Sequence, residues 1–233
     1  MSMNTVNERI VALRAAMEAQ GCAAYIIPTG DPHSSEYLPT HYNSREYFSG
    51  FTGENSNLVV TRTGSALWAD GRFFVQAEKQ LAGTEIALQK MGEPGVPTVE
   101  EYCAKALNEG EALGLCGFTA ACGLVRSLQK ALDAKHCTIK TLHLEDELWT
   151  EGRPELPATP AWILSKEYAG FSPAEKLDQL RTKLKELGCT AQFVGKLDNL
   201  AWLLNLRAMD IHCTPYAMAY CYVTPNKATL FIN

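Results

Sequence analysis

The sequence has no apolar run near the ~20 residues that a bilayer-spanning helix needs. Its opening, Met1-Ser2-Met3-Asn4-Thr5, has neither the basic nor the apolar region of a secretory signal. The expected compartment is the cytoplasm, with no membrane partner. Positive charge is also scarce: 21 Lys and Arg against 26 Asp and Glu leave a net charge of -5, and the isoelectric point is about 5.6. A nucleic-acid backbone or an anionic lipid surface needs clustered cations. The densest basic run, Arg181 to Lys185, lies on a predicted helix beside Asp178 and Glu186 as an ordinary solvated face. No nucleic acid is expected as a partner.

The motifs of stand-alone catalysis are missing too. The eight cysteines contain no Cys-x-x-Cys pair and no His partner at zinc-site spacing, so they read as reduced, mostly buried thiols. Five histidines form no His-Glu-x-x-His, and no serine stands in a Gly-x-Ser-x-Gly elbow. There is no phosphate-binding Gly-x-x-x-x-Gly-Lys loop. Where a dinucleotide fingerprint would follow the first strand, Pro28-Thr29-Gly30-Asp31 stands instead. No catalytic residue and no metal ligand is expected in this chain.

At 233 residues, 46% hydrophobic and 20% charged, the chain can bury one large core or two ordinary ones. A capping box Thr5-x-x-Glu8 starts a helix whose stripe Ile10, Leu13, Met17 ends at Gly21. A buried strand Ala23 to Ile27 follows. The turn-rich segment Pro28 to Asn43 then leads, through Phe48 and Phe51, to a hairpin of Leu58 to Thr61 and Ser65 to Ala69. Beyond a helix Arg72 to Leu81, strands near Ile86 to Lys90, Leu113 to Cys116 and Thr138 to Leu142 alternate with helices Thr98 to Leu107 and Leu124 to Ala134. Such alternation specifies an α/β fold, a mixed sheet flanked by helices. Pro154, Pro157 and Pro160 then interrupt all pattern. The expected domains are 1–150, a proline-rich linker 151–160, and 161–233.

The third segment restarts the first. Ser172-Pro173-Ala174-Glu175 is a capping box with proline at its preferred position. Leu180 to Cys189 lies over Leu13 to Cys22, an offset of 167 (180 − 13), with Leu, Arg, Gly and Cys coinciding. Tyr222-Val223-Thr224 lies over Val59-Val60-Thr61 at an offset of 163 (223 − 60), and Leu230 to Asn233 over Leu67 to Asp70. The second domain is thus expected to be a truncated copy of the first, with an apolar face and a strand edge uncovered. The sequence is expected to be a piece of a longer protein.

Two places could carry chemistry. Asp31-Pro32-His33-Ser34-Ser35-Glu36-Tyr37 could place an imidazole and a carboxylate on a ligand, or Asp-Pro could open a turn and cap a short helix; His33 and Glu36 are the weaker candidate contacts. Asp70-Gly71-Arg72 ends a strand. There aspartate caps the next helix and Arg72 lies solvated, or Arg72 clamps a carboxylate or carbonyl in a cleft. A cation in a first helical turn opposes the dipole and needs a partner. Trp202 reads as a core residue, like Phe48 and Phe51.

Five blocks in order span nearly the whole chain: Pro28 to Tyr37, Phe48 to Gly53, Trp68 to Ala77, Lys90 to Gly92 and Leu197 to Arg207. Together they resemble the amino-terminal half of cytosolic-type Xaa-Pro aminopeptidases of the creatinase and prolidase superfamily. One departure is Arg207-Ala208-Met209-Asp210, where the family has Arg-Gly-Ser-Asp. The resemblance implies a creatinase-N-type (ribonuclease H-like) fold in two related domains, and a catalytic domain outside this sequence. That domain would hold two divalent metals, usually manganese, and release an amino-terminal residue that precedes proline from peptides. It implies that Arg72 contacts bound peptide, that this half lines the cleft, and that it helps form a homodimer. The alternatives are a stand-alone binding module, or a dipeptidase or creatinase-type relative.

Overall fold

A computed structural model describes residues 5–233. The chain divides into two compact units. One comprises the chain up to Pro32 with Tyr42–Arg153; the other comprises His33–His41 with Pro154–Asn233.

The first unit runs α1 (Val6–Ala19), β1 (Ala24–Pro28), α2 (Ser44–Ser49), β2 (Asn57–Thr61), β3 (Ser65–Ala69), α3 (Phe74–Gln80), β4 (Ile86–Lys90), α4 (Val99–Ala106), β5 (Ala112–Cys116), α5 (Cys122–Leu132), β6 (Thr138–Leu142) and α6 (Leu144–Leu148). Its six strands form one mixed sheet in the order β4-β3-β2-β1-β5-β6. β2 is antiparallel to both β1 and β3, and the outer pairs are parallel. Alternation sorts the side chains. Tyr25, Ile27, Leu58, Val60 and Leu67 pack with the α1 stripe Ile10, Leu13 and Met17. Ile26, Val59, Ala66 and Trp68 pack on the other face with Cys103 of α4 and Leu128 of α5. The three α1 residues are fully buried, each contributing roughly 1.5–3 kcal/mol by leaving water. The strand ends meet closely: a Cβ on Gly30 would stand 2.3 Å from the Thr119 carbonyl oxygen.

The second unit contains β7 (Trp162–Ile163), α7 (Lys166–Ala169), α8 (Pro173–Glu186), β8 (Gln192–Val194), α9 (Leu197–Leu204), β9 (Leu206–Arg207), β10 (Ala219–Val223) and β11 (Ala228–Ile232). β11-β10-β8 is an antiparallel sheet, and β7 pairs with β9. Asn205 ends α9 in the left-handed conformation, φ 54°, which asparagine tolerates. Its buried amide accepts from Lys176 Nζ at 2.6 Å and donates to the Phe171 carbonyl at 2.9 Å. At the Ala208-Met209 departure the turn is tied by Asp210, which accepts from Thr159 N and Met218 N.

The repeat read from the sequence holds residue by residue. α1 and α8 each have 14 residues behind a capping box. Each stops at a left-handed glycine, Gly21 and Gly188, both at φ 67°. Tyr25 pairs with Val60 and Val60 with Ser65; the counterparts Gln192, Val223 and Ala228 pair in the same register. Arg14 Nε donates to the Thr61 carbonyl at 2.8 Å, and Arg181 Nε to the Thr224 carbonyl at 3.1 Å. Among the described residues the second unit has no counterparts of β4, α4, β5, α5 and β6.

Two local expectations differ from the structure. The stretch after Asp70 opens as a 3₁₀ turn, Gly71–Phe73, before α3 begins at Phe74. Asp31-Pro32 opens a turn, but no helix begins directly after it, the next being a 3₁₀ turn at Thr40–Tyr42, and Asp31 is buried.

Candidate functional site

The Arg72 turn sits where β3 ends, and its sequence dictates its shape. Asp70 stays extended, and its carboxylate accepts from the Arg72 backbone N–H at 2.9 Å. The same carboxylate takes the guanidinium in a two-point pair, Nε to Oδ1 at 3.1 Å and Nη2 to Oδ2 at 2.8 Å. These hydrogen bonds hold the Asp70 carboxyl below its usual range. The cation that needed a partner against the helix dipole thus has one two residues away, while its side chain stays 66% exposed. The guanidinium is oriented by this pair and open to solvent.

The surroundings of this turn are tied together by side-chain contacts. Phe73 meets Phe51 edge to face, centroids 6.2 Å apart, and Gln76 and Gln80 of α3 both donate to the Thr52 hydroxyl, at 2.9 and 2.8 Å. The Phe51–Gly53 loop is held from below by Arg45, a residue the sequence reading did not single out. Its guanidinium is buried, donates to the Phe51 and Gly53 carbonyls, and reaches Thr29 Oγ1 at 3.2 Å. Loss of solvation lowers its pKa to about 10. An arginine at the second position of the short helix α2 carries no sequence signal, because the carbonyls it serves belong to a loop.

His33 and Glu36 lie in the second unit and line one cavity of about 230 Å³ with Lys196, Asp198 and Tyr216. His33 is buried; its Nδ1 lies 2.8 Å from the Gly195 carbonyl, which can only accept, so that nitrogen carries the proton. The ring stacks on Tyr220 at 4.3 Å, which in turn stacks on Phe193 at 5.5 Å. His41 Nδ1 likewise donates to the Pro154 carbonyl at 2.7 Å. The two histidines fasten the ends of the 33–41 strap within its unit. Glu36 is exposed at the cavity. Ser34 in the cavity wall has φ 54°, a conformation a non-glycine residue adopts only when its surroundings impose it.

Trp202, read as core, is 55% exposed. Its helix turns Leu200 and Leu203 inward, and Lys176 lies over its ring at 4.6 Å. Among the described residues no three His, Cys, Asp or Glu side chains gather as a metal-binding group. His33 shares its cavity with two exposed carboxylates, Glu36 and Asp198, while its Nδ1 is bonded to the Gly195 carbonyl. No described helix is long and apolar enough to cross a membrane.

The Arg72 turn and the 33–41 strap are thus carried on an α/β module whose helix, strand and hairpin recur in its second unit. Two models of one family, the creatinase/prolidase N-terminal domain, match the chain over residues 9–145 and 152–233. The chain belongs to that family. Aminopeptidase P2 of Arabidopsis thaliana is 38% identical over 98% of this chain and 33% of its own length. A probable Xaa-Pro aminopeptidase P of Laccaria bicolor is 37% identical over 99% of this chain and 36% of its own. The crystal structure of X-prolyl aminopeptidase from Caenorhabditis elegans, described as a cytosolic enzyme with a di-nuclear active site, superposes with a TM-score of 0.91 at 32% identity. That superposition covers 99% of this chain and 39% of that one. The chain spans about a third of the length of the curated relatives it matches.

Proposed function

We propose that this chain is the non-catalytic portion of a metal-dependent, cytoplasmic Xaa-Pro aminopeptidase that lines the peptide cleft and supports a homodimer, with Arg72 as its substrate contact. The single observation that carries the Arg72 role is the geometry of its turn, an exposed guanidinium oriented by a two-point pair at a strand end. Asp70 takes the Nε–H and one Nη2–H, so a peptide carbonyl or carboxylate would be met by Nη1 and the second Nη2 hydrogen, on the other edge of the guanidinium. His33 and Glu36 rank behind it, His33 because its ring is committed to the strap. The two divalent metals, manganese by expectation, belong to sequence outside this chain, and the chain alone hydrolyses no peptide. In a longer form that cleaves Xaa-Pro peptides, Arg72→Ala should lower kcat/KM roughly 10- to 100-fold, the ~1.5–3 kcal/mol of a charge-assisted hydrogen bond. An unchanged kcat/KM would remove Arg72 from the cleft.

A further inference from the structure

Arg45 is a buried cation whose hydrogen-bond partners are all neutral. It is 6% exposed. Nη1 donates to the Phe51 carbonyl, Nη2 to the Gly53 carbonyl, and Nε to the Thr29 hydroxyl at 3.2 Å. Its Cζ also lies 5.1 Å from the centre of the Phe51 ring. Taking a charge out of water without a counter-ion is costly, and hydrogen bonds to neutral groups offset it only in part. An apolar side chain would fill the space without that cost. What an arginine alone supplies is a planar fork that reaches several acceptors at once. Here the fork holds α2, the residue just past β1 and the 51–53 loop in one arrangement.

That loop has neither helix nor strand structure of its own. It begins after Gly50, left-handed at φ 72°, and folds so closely over the Phe51 ring that a Cβ on Gly53 would run into it. The Arg72 turn rests on this loop. Phe73 meets Phe51 edge to face at 6.2 Å and 85°, and Arg72 Cζ lies 5.2 Å from the centre of the Phe73 ring. Gln76 and Gln80 donate to the Thr52 hydroxyl, and the Thr52 N–H donates to Gln80 Oε1 at 3.0 Å. Asp70 directs the guanidinium within the turn; the loop fixes where the turn stands. A continuous path of contacts therefore runs from Arg45 through Phe51 and Phe73 to Arg72.

We propose that Arg45 is a positioning residue for Arg72: it sets the 51–53 loop against which the turn stands, and so governs peptide binding without touching peptide. The proposal rests on the reading of Arg72 as a substrate contact. A buttress that served stability alone would lower activity whether or not Arg72 were present. One that acts through Arg72 loses its effect on binding once Arg72 is gone.

The test is a double-mutant cycle in a longer form that cleaves Xaa-Pro peptides, with Arg45→Lys and Arg72→Ala made singly and together, and kcat/KM and the thermal midpoint read for each. Lysine keeps the charge but not the fork. Arg45→Lys is expected to lower kcat/KM about 5-fold in the parent background, within the coupling range of residues linked by contacts. Where Arg72 is already alanine the loss should be under about 2-fold, with the midpoint falling equally in both backgrounds. An equal loss of kcat/KM in both backgrounds, or none in the parent, overturns the proposal and leaves the role of Arg72 standing. Arg72→Ala without effect overturns the reading beneath it, and the proposal with it. If Arg45→Lys does not fold, Thr52→Val takes its place, an exposed and isosteric change that cuts the loop from the amides of Gln76 and Gln80. Its loss of roughly 3-fold, that of one hydrogen bond, should vanish in Arg72→Ala. A loss that persists there, or no loss in the parent, overturns the positioning role.

Discussion

Replacing Glu145 by glutamine should stabilise the first unit at pH 8, with the gain disappearing near pH 4. Glu145 is 3% exposed, and its carboxylate accepts from the Tyr25 hydroxyl of β1. Desolvation pushes its pKa from 4.5 up to about 7, with a small further push from Asp146, while the Tyr25 hydroxyl and Arg153 oppose the rise. Cys116, whose thiol is itself pushed up by burial, also faces it. Because the folded-state pKa is raised, the folded chain binds the proton more tightly than the unfolded one. The stabilisation from this group is fully present below pH 4.5 and is lost as pH rises through about 7. At about 1.36 kcal/mol per pH unit, the interval between the two values corresponds to roughly 3 kcal/mol. Glutamine keeps the shape and an acceptor for Tyr25 but carries no proton equilibrium. Urea titrations of both proteins from pH 4 to pH 8, followed by amide exchange in β1 so that the first unit is read alone, should show the difference between them growing by most of that amount. A difference that stays constant across the range, or shrinks as pH rises, would refute the argument that desolvation dominates this carboxyl.

Two further outcomes follow from the same geometry. Gly30→Ala places a methyl 2.3 Å from the Thr119 carbonyl oxygen, a side chain against backbone, and should lower stability by about 1–3 kcal/mol; an unchanged thermal midpoint would mean the two segments can separate freely. His33→Phe preserves the stack on Tyr220 but removes the donor to Gly195, so amides of the 33–41 strap should exchange roughly 5-fold faster, near 1 kcal/mol, with the first unit unchanged. Uniform acceleration in both units would show that the histidine supports more than the strap.

Local chemistry made most of the fold legible in the sequence. Three capping boxes, the period-3.6 stripe of α1 and the hairpin around Thr61 are written in neighbouring residues, and each appears in place. The repeat was legible for the same reason, since a capping box, a glycine stop and a Thr turn recur at fixed spacing. What escaped was long-range. Nothing near Arg45 announces that it serves the carbonyls of Phe51 and Gly53, and nothing near Glu145 announces a tyrosine 120 residues earlier in sequence. The 33–41 strap reads as a continuation of the first domain, because a linear reading assigns a loop to the elements beside it. Its histidines instead bond to Gly195 and Pro154. Trp202 misled in the opposite way: an aromatic in an apolar helix signals burial only where something covers it, and among the described residues only Lys176 lies over that ring.

Arg72 shows where local reasoning stops. The dipole argument held that a cation in the first turn demands an outside partner, and a ligand was one candidate. Asp70 satisfies that demand within the turn, so electrostatics alone no longer points to substrate. The same pair strengthens the functional reading by another route. An arginine paired with a neighbouring carboxylate has less rotamer freedom to lose than an unpaired one, and Arg72 pairs with Asp70 while 66% of its side chain remains exposed, which lowers the entropy lost on binding an oxygen ligand. The deciding variable is therefore the orientation supplied by Asp70 rather than the charge of residue 72. A lysine at that position would keep the charge and lose the fork, and an effect of Arg72→Ala that lysine fully rescued would mean that charge alone is what the cleft requires.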